Sequence, residues 1–133
     1  LNIYTTSDKS KYAYNSTTGG YPGIKLSDMS SGWHMITCVY KASVGDSMYL
    51  DGKLYEKKTY TSYGIHFNKN SYLFLGGESA GVNCIAPYFN GKLSDFRIYV
   101  TALDNQTIEE LYKVGASVDN NGNLILAGEV IEE

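Results

Sequence analysis

The stretch FNGKLSDFRIYVTALDNQTIEELY, residues 89–112, carries turn, strand and helix signals in unbroken succession. Asn90-Gly91 is a dipeptide favoured where two successive residues need positive φ, so it reads as a turn. From Lys92 to Val100 the residues alternate, with Leu93, Asp95, Arg97 and Tyr99 on one face and Ser94, Phe96, Ile98 and Val100 on the other. That period of two marks a half-buried strand. Asp104 can then cap a helix in which Ile108, Leu111 and Tyr112 fall at i, i+3 and i+4 on one apolar stripe. Lys113 and Gly115 end it. The stretch predicts a strand that closes a sheet and one short helix tucked against it, with Phe96 and Ile98 straddling the sheet and Leu111 and Tyr112 docking the helix.

Outside this stretch, composition bounds the answer. The 133 residues fit one domain and suffice to bury a core. A hydrophobic content of 43% excludes disorder, and no run approaches the ~18 apolar residues of a membrane span. The net charge is -3 and the basic residues form no run. Phosphate binding is driven by clustered Lys and Arg, so neither nucleic acid nor membrane is expected as a partner. Cys38 and Cys84 stand in no metal-ligand spacing, and two buried thiols are favoured over a disulfide. The chain holds 13 Tyr, a residue that suits strands and also builds rigid amphipathic contact surfaces. It opens at Leu1 on a strand pattern without a Met, which suggests a piece of a longer protein.

Taken in order, short β segments alternate with turn signals. Leu1 to Thr6 and Lys11 to Asn15 read as strands, and Ser16 to Gly23 as a polar, Gly-rich loop. Trp33 to Lys41 is the strongest buried strand. A turn at Ala42 to Asp46 leads to a strand at Ser47 to Asp51, and Asp51-Gly52 turns the chain into Lys53 to Tyr60. Thr61 to Ser71 is a longer loop, Ser71 to Leu75 a further strand, and Gly76 to Pro87 irregular. This spacing predicts an antiparallel sandwich or barrel. After Gly115, Asn121-Gly122 can turn a hairpin into a strand at Asn123 to Ile131. That tail either packs back as an extra hairpin or links to a neighbouring domain or subunit.

Three motifs in order resemble a laminin G-like (concanavalin A-like lectin) jelly-roll domain. Gly32, Trp33 and His34, a hydrophobic strand, then Tyr49, Asp51 and Gly52 are similar to the middle of that family's pattern. Leu73, Leu75, Gly76 and Gly77 match its strand end. Phe89, Gly91, Leu93, Asp95, Arg97, Ile98, Tyr99, Leu103, Ile108, Leu111 and Tyr112 match its closing signature. The resemblance implies an all-β fold: an antiparallel β-sandwich of concanavalin A-like jelly-roll type with one short C-terminal helix. It covers residues 1–115, with fewer residues before Trp33 than members commonly carry, so amino-terminal strands are expected to be missing. Residues 116–133 lie outside the pattern and loosely resemble segments that follow such domains in bacteriophage tail proteins. At the helix start Thr107 replaces the acid of a capping box, so the cap is kept and its reciprocal partner lost.

Chemistry narrows the function. Gly77-Glu78-Ser79-Ala80-Gly81 matches a nucleophile-elbow pattern, but no helical period follows it, and His34 and His66 both precede Ser79. No acid-x-acid pair of the glycosidase kind lies in a predicted strand. The expectation is a non-enzyme. No cofactor is expected beyond a structural calcium of the kind such lectins frequently hold. Asp28, Asp46, Asp51, Glu78 and Asp95 offer oxygen ligands but form no Asp-x-Asp run, and no ligand is named. Asp95 is expected to pair with Arg97, His34 to be a satisfied core imidazole, and Trp33 to be a core anchor.

A sugar site stacks CH groups on aromatic faces and pairs hydroxyls with polar side chains. On composition, one candidate group is Tyr12, Tyr14, Asn15 and Tyr21. The other is Tyr60, Tyr63, His66, Asn68 and Asn70, with Asn83 and Tyr88. The resemblance implies a non-catalytic carbohydrate-binding or adhesion module of an extracellular or virion protein, such as a phage tail, whose partner is a cell-surface glycan. The alternative is a structural or assembly domain of a fibre, with homo-oligomer or neighbouring-domain contacts through the tail.

Overall fold

The computed structural model describes residues 2–5, 11–15, 22–59, 90–118, 124–126 and 129–130. The chain divides into two compact units, Leu1–Ile65 with Tyr99–Glu133, and His66–Ile98.

The first unit is built from antiparallel meanders. One sheet runs β1 (Asn2–Thr5), β2 (Lys11–Asn15) and β3 (Gly23–Lys25) in sequence order. A second runs β4 (Ile36–Lys41), β5 (Gly45–Leu50) and β6 (Lys53–Thr59). The expected strand at Lys11 to Asn15 is found. Trp33 to Met35 stand before β4 rather than in it, and Trp33 is half-buried. Gly23, the last residue of the expected loop, opens the strand Gly23–Lys25, because β2 supplies its ladder, with Tyr12 opposite Ile24.

Asp51 and Gly52 turn β5 into β6 with φ of 51 and 77, the two positive values that a tight hairpin turn needs and that an Asp-Gly pair tolerates. The central strand β5 is buried along Gly45–Tyr49 because its two faces meet different neighbours. Met48 packs on Ile24 of the first sheet, with Met29, Ile36, Cys38, Leu50 and Tyr55 around them. Full burial of side chains of this size contributes about 1.5–3 kcal/mol each. Tyr49, one residue on and hence on the other face, donates its hydroxyl to Asn105 Oδ1 at 2.7 Å.

Asn105 opens α1 (Asn105–Gly115). Asp104 caps it as expected: the Thr107 N–H donates to Asp104 Oδ1 at 2.8 Å, and the Ile108 N–H to the Asp104 carbonyl at 3.1 Å. The Thr107 N–H first, then the Thr107 side chain and the Gln106 N–H, hold the Asp104 carboxyl below the usual aspartate range. Lys113 pairs with Glu109 one turn back at 2.8 Å. The apolar stripe docks through Ile108, which is fully buried, while Leu111 is half-buried and Tyr112 exposed. The helix sits on the Asp51-Gly52 turn so closely that a Cβ at Gly52 would stand 2.8 Å from Tyr112 Cβ.

The tail forms a third antiparallel sheet, β7 (Ala116–Val118), β8 (Leu124–Leu126) and β9 (Glu129–Val130). The single strand expected over Asn123 to Ile131 is thus two, with Leu126 opposite Glu129.

In the second unit, the strand expected over Lys92 to Val100 is corrected. Residues 92–99 form neither strand nor helix, and Phe96 and Ile98 are exposed rather than straddling a sheet. Asp95 has a φ of 51, which breaks extended backbone in mid-run, and its Oδ1 accepts from Arg97 Nε at 2.6 Å. The expected Asp95–Arg97 ion pair is present. A strand needs a ladder as well as alternation, and alternation alone does not supply one.

Cys38 is a free thiol, pushed up to about 12 by burial and then by the nearby Asp46 carboxylate. Cys84 and the strand expected at Ser71 to Leu75 lie outside the described residues.

Candidate functional site

The connection from β3 to β4 is polar, and two ties fasten it to the second sheet. The first comes from a bulge in β6. Met48 stands opposite Glu56 and Tyr49 opposite Leu54, which leaves Tyr55 as an extra residue. Strict alternation would send neighbouring side chains to opposite faces, whereas a bulge re-aims one of them. Tyr55 and Glu56 therefore both reach the first sheet. The Lys25 N–H donates to Tyr55 Oη at 3.2 Å, and the Gly23 N–H to Glu56 Oε2 at 2.7 Å. Lys58 steadies Glu56 through its other oxygen at 2.6 Å. Tyr55 Oη in turn donates to Asp28 Oδ2 at 2.5 Å, and Ser27 Oγ donates to Asp28 Oδ1 at 3.0 Å. The Tyr55 hydroxyl first, and then Ser27, hold the Asp28 carboxyl below its ordinary range. The same bond pushes the Tyr55 phenol up. Asp28 is thus an exposed, ionised acceptor on a short 3₁₀ turn, Leu26–Asp28.

The second tie is His34. Its Nδ1 stands 2.8 Å from Asp51 Oδ2, and its Nε2 stands 3.0 Å from the Ser30 carbonyl and 3.3 Å from Ser30 Oγ. The other Asp51 oxygen accepts the Met35 N–H at 2.9 Å, while the Asp51 N–H donates to the Met35 carbonyl at 2.9 Å. Only 10% of the His34 side chain is exposed. The hydrogen bond to Asp51 raises the imidazole above its ordinary value, burial opposes this, and the Ser30 carbonyl adds to the rise.

Ser30, His34 and Asp51 are the residue types of a nucleophilic relay. In such a relay, however, the imidazole nitrogen facing the hydroxyl must be a bare lone pair able to take its proton. Here that nitrogen also faces a carbonyl oxygen, which favours N–H at the same position. The satisfied imidazole expected at His34 is what the fold uses.

Of the candidate binding residues, Tyr12 and Tyr14 lie in β2, the strand expected there, opposite Thr5 and Ile3 respectively. Tyr12 also stands opposite Ile24. Tyr21, Tyr60, Tyr63, His66, Asn68 and Tyr88 lie outside the described residues. Asp28 and Tyr55 were not foreseen as partners, since a one-residue bulge leaves no mark in the hydrophobic pattern. Among the described residues, no three His, Cys, Asp or Glu side chains group to hold a metal ion. Nor is any helix there long and apolar enough to cross a membrane.

Comparison with known proteins bears on these features. The laminin G-like family model described as the concanavalin A-like lectin/glucanases superfamily matches residues 2–109. No curated protein matches the chain. Among solved structures, a crystal structure of an S-layer domain-containing protein from Clostridium thermocellum is similar, with a TM-score of 0.51 and 22% sequence identity. The match covers 77% of this chain and 50% of that one, so the chain spans about half its length.

Proposed function

The chain belongs to the concanavalin A-like lectin/glucanases superfamily, an antiparallel β-sandwich fold, and on that premise we propose that it is a non-catalytic glycan-binding module of a surface-displayed protein. Family membership is the observation that carries this. The similarity to an S-layer domain-containing protein supports display at a cell surface. The proposed contacts are Tyr21, Tyr60, Tyr63, His66, Asn68 and Tyr88, as stacking faces and hydroxyl partners. Tyr12 and Tyr14, in β2, are proposed as contacts with them. Single-site affinity is weak and is raised by multivalent display, on the extracellular or virion particle that carries the module.

The test is a glycan array probed with the protein displayed on a tetrameric carrier, followed by alanine replacement of each proposed contact. Binding that falls with Tyr60→Ala or Tyr63→Ala in a correctly folded variant supports the proposal. An array without signal, alongside capture of a defined protein partner, overturns it in favour of an assembly domain.

A further inference from the structure

His34 joins two segments through acceptors on both of its nitrogens. A neutral imidazole carries one N–H and one lone pair, so it can donate to one of these acceptors only. Asp51 Oδ2 is a carboxylate oxygen at 2.8 Å, and an ionised carboxylate only accepts, so Nδ1 keeps its proton in either state. The proton that can leave is the one on Nε2, between the ring and the Ser30 carbonyl at 3.0 Å.

We propose that His34 is a proton-loaded latch: with both nitrogens protonated it fastens the Ser30 carbonyl to the Asp51 turn, and loss of the Nε2 proton to solvent releases that carbonyl and passes Nε2 to the Ser30 hydroxyl, while the Asp51 end holds. In the neutral ring a lone pair faces a carbonyl oxygen, two acceptors with no proton between them. The Ser30 hydroxyl, 3.3 Å away, must then turn to donate to Nε2, and the chain around Ser30 adjusts. Asp51, from the β5–β6 turn, is the charged group placed against the ring among the described residues; Ser30, from the ring's own connection, contributes a carbonyl and a hydroxyl. Because the folded imidazole is raised, the latch is fully closed below the ordinary histidine value of 6.5 and opens as pH rises through the folded value. It belongs to the fold and operates whatever the domain binds.

The test is a pH titration of the imidazole nitrogens by ¹⁵N NMR on the full chain, with a His66→Gln variant to assign the His34 signals. The expected result is a midpoint above 6.5, with Nε2 titrating and Nδ1 protonated throughout, and amide shifts at residues 30–34 following that midpoint. Ser30→Ala keeps the carbonyl but removes the donor that rescues the neutral ring, so it raises the midpoint further. A midpoint at or below 6.5, loss of the proton from Nδ1, or a lowered midpoint in Ser30→Ala overturns the latch. The wild-type protein and Ser30→Ala decide the matter without the charge-removing variants, which could unfold.

Discussion

Gly45 and Gly52 bracket the central strand, and replacing each by Ala separates two kinds of damage. Both have positive φ, 132 and 77, so a side chain costs about 1–3 kcal/mol in backbone strain at either site. They differ in what the new Cβ meets. At Gly52 it meets Tyr112 Cβ at 2.8 Å and Glu109 Cα at 3.2 Å, so the helix must slide by a fraction of an ångström. Overpacking of that order adds about 1–3 kcal/mol. At Gly45 it meets the Lys58 carbonyl oxygen at 1.9 Å, a fixed backbone atom of the neighbouring strand. The clash is relieved only by parting the ladder at Gly45↔Thr59 and Asp46↔Lys58. Each buried backbone group left unpaired costs about 1–3 kcal/mol, so Gly45→Ala is expected to lose more than about 4 kcal/mol in all. The assay is urea unfolding followed by the fluorescence of Trp33, the one tryptophan, alongside far-UV circular dichroism. The midpoint should fall further for Gly45→Ala than for Gly52→Ala, or Gly45→Ala should fail to fold. If Gly45→Ala unfolds within about 1 kcal/mol of wild type, the close pairing of β5 and β6 is refuted.

Ile108 anchors the helix with no exposed surface, so Ile108→Ala should cost about 2–5 kcal/mol in urea unfolding, well beyond Val114→Ala at an exposed position. The lowered Asp104 carboxyl stabilises the helix start above the ordinary aspartate value of 3.8, and that contribution is lost as pH falls through the lower folded value. Asp104→Ala should therefore lie below wild type in melting temperature near neutral pH and converge with it in acid, and a constant gap would show that the carboxylate is not the cap. Cys38, with its thiol pushed up to about 12, should resist iodoacetamide in the native protein and react fully in urea, and rapid native labelling would place it outside the core.

The hairpins and the helix cap were legible because each rests on local chemistry. Asp51-Gly52 needs only its two φ values, and Asp104 needs only the amides of the next turn. Lys92 to Val100 failed as a strand for the converse reason: alternation is local, a ladder partner is not, and a single left-handed Asp95 ends the extended run. Ile108 outranks Leu111 in the dock because the depth of each stripe residue depends on the turn beneath it. The ties of β6 to the first sheet and its connection, Tyr55 on Asp28 and Glu56 on Gly23, depend on one extra residue in β6. Candidate sugar contacts were chosen on composition, which names residue types but not faces.

The Asp51-Gly52 dipeptide does two jobs that a turn alone would not require. Its glycine lets the helix approach, and its carboxylate holds both His34 and the Met35 amide. Asp51→Asn separates the turn from the charge. Asn-Gly suits this turn as well as Asp-Gly, and the amide oxygen can still accept from Met35, so the hairpin is kept. What disappears is the negative charge that favours protonated His34. A histidine raised on folding contributes stability below its unfolded value, and loses that contribution as pH rises through its folded value. The stability difference between wild type and Asp51→Asn should therefore be largest near about pH 6 and shrink toward about pH 9. Urea unfolding across that range measures it. A difference that stays level with pH would mean that Asp51 acts through the turn alone, and the charge on His34 contributes nothing to holding the connection.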